Sequence, residues 1–353
     1  MVKKSENIVL GISIGDLNGI GSEIILKTFE DSRMLEFCTP VIFANTKLFS
    51  YINKTLGTNV NFHGIDNLGQ LVFGKINVLN IWKENVEIEL GVENVQLGKY
   101  AVRSFKEATK ALKEGKVDVL VTAPINKYTA DSDEFKFVGH TEYLDQELQG
   151  EALMLLTSGD LRVGLLTGHV PVKDVASKLN ETLITKRVEV LEKSLIQDFS
   201  INRPKIAVLG LNPHCGDHGV IGSEDDTIIR PALRKLFDKG HLVFGPFSAD
   251  GFFGNEMYKQ YDAVLAAYHD QGLVPFKTIA FGHGVNFTAG LNKIRTSPDH
   301  GTAFDIAGKG LADHTSFREA VYLAIDVYHS RYLYEEISKN PLKITEKQSE
   351  SKK

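Results

Sequence analysis

Short apolar runs alternate along the chain with longer stretches of helical period, the pattern of an α/β protein. IVLGISIG, from Ile8, reads as a first strand that leads into the glycine-rich turn GDLNGIG at 15–21. A helix is expected in SEIILKTFED, with Ser22 as its cap. TPVIFAN at 39–45 is a further strand. At 98–113, Ala101, Phe105, Ala108 and Leu112 share one helical face; Gly115 ends that helix, and VDVLVT at 117–122 reads as a buried strand. LRVGLLT at 161–167, KIAVLGL at 205–211 and DAVLAAY at 262–268 repeat the strand signal. A helix over 180–199 places Ile184, Val188, Leu191 and Leu195 at its inner spacing. Phe317, Val321, Ala324, Ile325 and Tyr328 form a last stripe, suited to a terminal packing helix. The final ten residues, ITEKQSESKK, have little apolar content and are expected to fray.

Composition narrows the classes. A chain of 353 residues can bury large cores, and its length favours two domains. Apolar residues make up 42% and charged residues 24%, ordinary globular values. Forty basic residues against 45 acidic give a net charge of -5, which offers no basis for nucleic-acid binding. Cys38 and Cys215 stand far apart, which argues against a disulfide framework or a thiolate zinc site. The first apolar run soon meets Asp16, so it does not read as a secretory peptide. No stretch approaches a membrane span, and a cytoplasmic protein is expected.

Three histidines occupy equivalent places. His169 stands two residues beyond LRVGLLT, His214 three beyond KIAVLGL, and His269 directly after DAVLAAY. Each begins a loop at the carboxyl end of an expected strand, the edge where open α/β sheets bind ligands. Three imidazoles in one crevice would make a facial metal site with positions open for substrate. Their separations match no compact zinc signature, and three unrelated loop histidines fit the spacing equally well. Asp250 and Asp270 are candidate acceptors for a ligand imidazole, or ordinary turn residues.

Lys277, Arg295 and His140 lie in PFK, KIRTS and GHTEY, each close to turn-like sequence. Arg and Lys bind phosphate and carboxylate by charge-assisted hydrogen bonds, and Thr141 and Asn286 can add positioning. The segment FGHGVNFTAG at 281–290 suits either close backbone approach or an irregular loop. GDLNGIGSE has neither the G-x-G-x-x-G order nor the P-loop order, so it supports no standard nucleotide fingerprint. It is expected to expose Asp16 and Asn18 beside a cleft.

In order along the chain stand GDLNGIGSE, VTAPINK, FVGHTEYL, LTGHVP, LNPHCGDHG, AYHDQGLVPFK, GVNFTAGL and IRTSPDHGTAFDIAGKG. Together they resemble the 4-hydroxythreonine-4-phosphate dehydrogenase family from about Ile8 to Tyr332. The resemblance implies an isocitrate/isopropylmalate dehydrogenase-like fold with two α/β domains and a cleft between them. The expected division is 1–130 plus 290–340, then 131–289, with a tail at 341–353. It implies a homodimer whose metal site is shared between subunits, and a division of His169 and His269 across the interface is one arrangement to test. His169, His214 and His269 match the metal ligands; His140, Thr141, Lys277, Asn286 and Arg295 match substrate-binding positions. The oxidant is NAD or NADP, with its contacts unassigned. The metal is expected to be zinc, with cobalt, manganese and magnesium as alternatives. Leu17, Asn18, Ser22, His283 and the loop after His214 depart from the usual family motifs and bear on substrate and cofactor preference.

The implied reaction oxidises the secondary alcohol of 4-phosphooxy-L-threonine and then loses carbon dioxide, giving 3-amino-2-oxopropyl phosphate for pyridoxal phosphate biosynthesis. The ion would lower the alcohol's pKa and stabilise the developing oxyanion during hydride transfer. Lys277, Asp250 and Asp270 are the candidate bases. Alternatives are dehydrogenation of 4-phospho-threonate or 4-phospho-erythronate, metal-dependent hydrolysis, and phosphoester binding without catalysis.

Overall fold

A computed structural model describes residues 8–130 and 139–341. Its strands are β1 Ile8–Ser13, β2 Cys38–Ala44, β3 Phe62–Ile65, β4 Ile76–Asn80, β5 Val119–Thr122 and β6 Gly150–Ser158. They continue as β7 Leu161–Leu165, β8 Ile206–Leu209, β9 Val243–Phe247, β10 Ala263–Ala266, β11 Val285–Leu291 and β12 Ile294–Pro298. Among the described residues they form one mixed sheet in the order β3-β4-β2-β1-β5-β12-β11-β6-β7-β10-β8-β9. The first six are parallel. The direction reverses from β12 to β11, from β11 to β6 and from β6 to β7. The last four are parallel again. Three reversals leave the two parallel wings pointing opposite ways.

Period-two alternation divides each strand between two faces. Leu10, Ile12, Val119, Val121, Leu155, Ile206, Val208, Val285 and Phe287 belong to one long core. Residues of the helices Gly21–Glu30, Glu181–Gln197 and Thr315–Ser338 pack into it. On the other face there are two separate cores. Val41, Phe43 and Leu120 pack with Phe105 and Leu112 of the helix Val95–Lys113. Ala207, Leu209 and Val264 pack with Leu273 and Phe276 of the helix His269–Ile279. Between these two cores the same alternation turns Arg295, Ser297, Asn286, Thr288, Met154 and Leu156 away from the long core. That gap holds the site.

The expected helices are present, with Asn94 and Asn180 capping two of them. Ile184, Val188, Leu191 and Leu195 are fully buried, and the terminal stripe lies in Thr315–Ser338. Ser22 is not the cap: Ile20 holds that position, and Ser22 lies buried inside the first helix. The turn at 15–21 does not expose Asp16 or Asn18. It is clamped by bonds from Asp16 N to the Pro124 carbonyl and from Ile20 N to the Thr302 carbonyl. Asp16 accepts from Thr129 Oγ1 at 2.8 Å, and Asn18 Nδ2 donates to the Val92 carbonyl at 2.6 Å. These bonds satisfy both side chains inside the protein. The segment 281–290 is not a loop throughout, since 285–291 is β11. Close approach occurs at Gly284, where an added Cβ would lie 2.2 Å from Asp299 Oδ2. Arg295 is the second residue of β12, directly after the bend at 292–293. The expected frayed end, 344–353, lies outside the described residues. No described helix is long and apolar enough to cross a membrane.

Candidate active site

A cavity of about 410 Å³ opens over the middle strands. Thr122 and Lys127 reach it from the end of β5, and Ser297, Asp299 and His300 from the end of β12. His169 and His269 come from the carboxyl ends of β7 and β10, which pair directly. His140, Thr141 and Glu142 open the helix His140–Glu147 on another side. Asp270, Lys277 and Asn286 complete the set. Eight of the ten candidate residues therefore line one cavity, and His214 and Asp250 do not.

Arg295 is the strongest fixed feature. It is 2% exposed, and its guanidinium donates to Thr122 Oγ1 at 2.6 and 3.1 Å and to Thr288 Oγ1 at 3.2 Å. Burial pushes its pKa down to about 9, against the opposing charge of Glu142. Hydroxyls can orient a guanidinium but cannot neutralise it, which leaves the cavity receptive to an anion. Lys277 adds a second cation, with Nζ donating to the Asp299 carbonyl at 2.8 Å. Burial raises the Asp299 carboxyl above its ordinary range, against the charges of Lys277 and His300. His140 packs its ring on Phe105 at 4.5 Å between centroids. Desolvation, followed by the charges of Arg295 and Lys127, holds its pKa well below 6.5, so the ring is neutral.

Four cavity residues carry a buried polar atom with no hydrogen-bond partner among the described residues: His140 Nε2, Glu142 Oε2, Asn286 Oδ1 and His300 Nε2. Such atoms are rare in native interiors, and their gathering at one cavity fits a polar ligand.

His169 and His269 stand 5.5 Å apart between ring centroids, within one chain. Their strands are hydrogen-bonded neighbours, so these two imidazoles need no second subunit to meet. His169 Nδ1 meets Glu142 Oε1 at 3.0 Å, and His269 Nδ1 meets Asp270 Oδ1 at 2.7 Å. A carboxylate can only accept, so each Nδ1 is placed to donate; in the neutral ring with that tautomer Nε2 keeps a lone pair, the form in which imidazole binds a metal. In this respect the pair fits a divalent ion. His214 follows β8, the strand next to β10, but it is exposed and its near charge is Asp250. Among the described residues no group of three or more His, Cys, Asp or Glu is placed to hold a metal.

Glu142, Lys127, Asp299 and His300 had no role in the sequence reading, although all four lie in the quoted blocks. The available signal was their placement in those blocks beside matched residues: Glu142 follows His140 and Thr141 directly.

A model of the family described as pyridoxal phosphate biosynthetic protein PdxA matches residues 36–324. The chain is 45% identical over 342 residues to the 4-hydroxythreonine-4-phosphate dehydrogenase of Bacteroides thetaiotaomicron, covering 96% of this chain and 94% of that one. It is 40% identical over 322 residues to the Sulfurihydrogenibium sp. enzyme of the same name, covering 90% and 98%. The crystal structure of the Klebsiella pneumoniae 4-hydroxythreonine-4-phosphate dehydrogenase matches with a TM-score of 0.78 and 34% identity, over 93% of this chain and 99% of that one. The matched span runs from before β2 into the terminal helix and holds every residue of the cavity; the chain belongs to the pyridoxal phosphate biosynthetic protein PdxA family.

Proposed function

We propose that this chain uses NAD or NADP to oxidise 4-phosphooxy-L-threonine, followed by decarboxylation to 3-amino-2-oxopropyl phosphate in pyridoxal phosphate biosynthesis. Beside the family membership, the observation that carries the reading is the buried Arg295 guanidinium, held by hydroxyls alone among the described residues, at a cavity that also has Lys127 and Lys277. Phosphate and carboxylate on one small substrate match that charge pattern. Arg295 and Lys277 hold the anionic ends; Thr141, Asn286 and neutral His140 orient the polar groups between them. His169 and His269 hold a divalent ion, zinc first, with His214 as the third ligand. When bound, that ion supplies Lewis-acid stabilisation of charge developing on the substrate oxygen. Lys277 and Asp270 are the nearer candidates to take the alcohol proton, since both line the cavity and Asp250 does not.

The active unit in this reading is a homodimer with composite sites. His214 and Asp250, the two candidates missing from the cavity, interact electrostatically with each other, so two neighbouring segments of one partner, after β8 and after β9, would deliver both. Large exposed apolar residues cluster on the histidine-bearing segments: Val172 at 75%, Val220 at 81%, Val274 at 62% and Phe281 at 88%. Such a surface suits a protein partner. The fold within each subunit is read as two lobes resembling the isocitrate/isopropylmalate dehydrogenase arrangement. Its support is the strand order, in which β1–β5 with β12 occupy one half of the sheet and β6–β11 the other.

The test follows NADH absorbance with purified protein, a divalent ion and a panel of phosphorylated acids. Reduction of NAD or NADP with release of carbon dioxide is expected for 4-phosphooxy-L-threonine. Preference for 4-phospho-threonate or 4-phospho-erythronate would move the substrate, and phosphate release without the dinucleotide would replace the dehydrogenase reading by a hydrolase.

A further inference from the structure

We propose that Glu142 is a positioning residue: its carboxylate fixes His169 with Nδ1 protonated and Nε2 bare, and couples the substrate-side helix to that imidazole. Three observations carry this. Glu142 Oε1 lies 3.0 Å from His169 Nδ1, across 27 residues of sequence, so the pair joins two separate segments. Glu142 sits in the first turn of His140–Glu147, directly after His140 and Thr141, which face the same cavity. Its second oxygen is buried without a hydrogen-bond partner among the described residues. A carboxylate that gains so little from other donors has the imidazole as its main contact.

The consequence is mechanical. His169 lies in the segment after β7, and among the described residues the side-chain bond that orients its ring is the one to Glu142. Without that acceptor the neutral ring exchanges tautomers and turns freely, and only one tautomer presents Nε2 as a donor. Asp270 holds His269 from the adjacent residue in sequence, a local contact. Glu142 instead reaches across the cavity wall, so displacement of the His140 helix is transmitted to His169.

The inference rests on the assignment of His169 as a metal ligand, and its test separates the two. Nitrogen-15 spectra of the metal-free full chain at about pH 8, above the ordinary imidazole pKa, report the tautomer directly; a His169→Ala sample identifies the signal. The wild-type ring should be protonated at Nδ1, Glu142→Ala should show a tautomer mixture, and Glu142→Gln, which keeps an amide oxygen acceptor, should restore the wild-type form. An Nε2-protonated wild type, or an unchanged tautomer in Glu142→Ala, overturns the proposal. Cobalt(II) affinity, followed by its visible absorption, gives the second readout. Glu142→Ala should bind about 10- to 100-fold more weakly, with Glu142→Gln between it and the wild type. Loss of affinity in His169→Ala with none in Glu142→Ala also overturns the positioning role. Unchanged affinity in His169→Ala would instead remove the metal assignment, while the tautomer result would still decide the role of Glu142.

Discussion

Arg295 constrains the contents of the cavity more than any other side chain, because a buried guanidinium bound, among the described residues, only to hydroxyls is receptive to an anion. Arg295→Ala should weaken substrate binding by about 2–5 kcal/mol, with little change in dinucleotide affinity. KM for the phosphorylated acid and the Kd for NAD measure the two separately; a loss confined to NAD would place Arg295 in the cofactor pocket. His140 gives a pH signature. Its folded pKa lies below the ordinary 6.5, so between those two values the unfolded chain binds a proton that the folded chain refuses. Stability contributed by this group is therefore present above about pH 6.5 and falls on acidification, by up to about 1.4 kcal/mol per pH unit. Denaturant midpoints across that range should slope less in His140→Gln, and an identical slope would assign the effect to other groups. At this scale the ordered motifs made His140, Thr141, Lys277, Asn286 and Arg295 legible, and the structure brings them to one cavity. Glu142 was not legible, because what distinguishes it is a contact with a residue 27 positions away.

Periodicity exposed some elements and hid others for a physical reason. The six strands read from sequence, β1, β2, β5, β7, β8 and β10, are parallel members of the two wings, and all their residues but Val9 of β1 and Arg162 of β7 are buried. Burial on both faces writes them as continuous apolar runs. β11 and β12 instead face the cavity on one side, so Asn286, Thr288, Arg295 and Ser297 interrupt their apolar pattern. The elements that floor the site were thus the harder ones to see. The helix Val95–Lys113 shows how an element far from the chemistry can still govern it. An added Cβ at Gly98 would meet the Thr129 carbonyl oxygen at 1.7 Å, so this helix lies directly against the short helix Lys127–Ala130. Gly98→Ala should cost about 1–3 kcal/mol through overpacking. Because Lys127 rides on the displaced helix, substrate KM should rise as well. A lowered denaturation midpoint with unchanged KM would show that the short helix absorbs the shift without moving Lys127.

At the scale of the molecule, composite sites predict rescue between inactive subunits. A His169→Ala chain mixed with a His214→Ala chain should recover metal binding and turnover, because one of the two sites in the heterodimer escapes both changes. His169→Ala mixed with His269→Ala should not, since these two imidazoles share one cavity in one chain. Recovery in the second mixture alone, or verified heterodimers inactive in the first, would reverse the assignment; sedimentation confirms that subunits have exchanged. The strand order carries a consequence for how the protein is made. β12 is the last strand to leave the ribosome, yet its place is between β5 and β11. Until residues 294–298 arrive, those two older strands each present an open edge, and most of the chain waits beside them. Open edges template aggregation, and late long-range pairing slows closure. A message truncated shortly before Ile294 should therefore yield insoluble protein rather than a weakened enzyme, as the soluble fraction after expression would reveal.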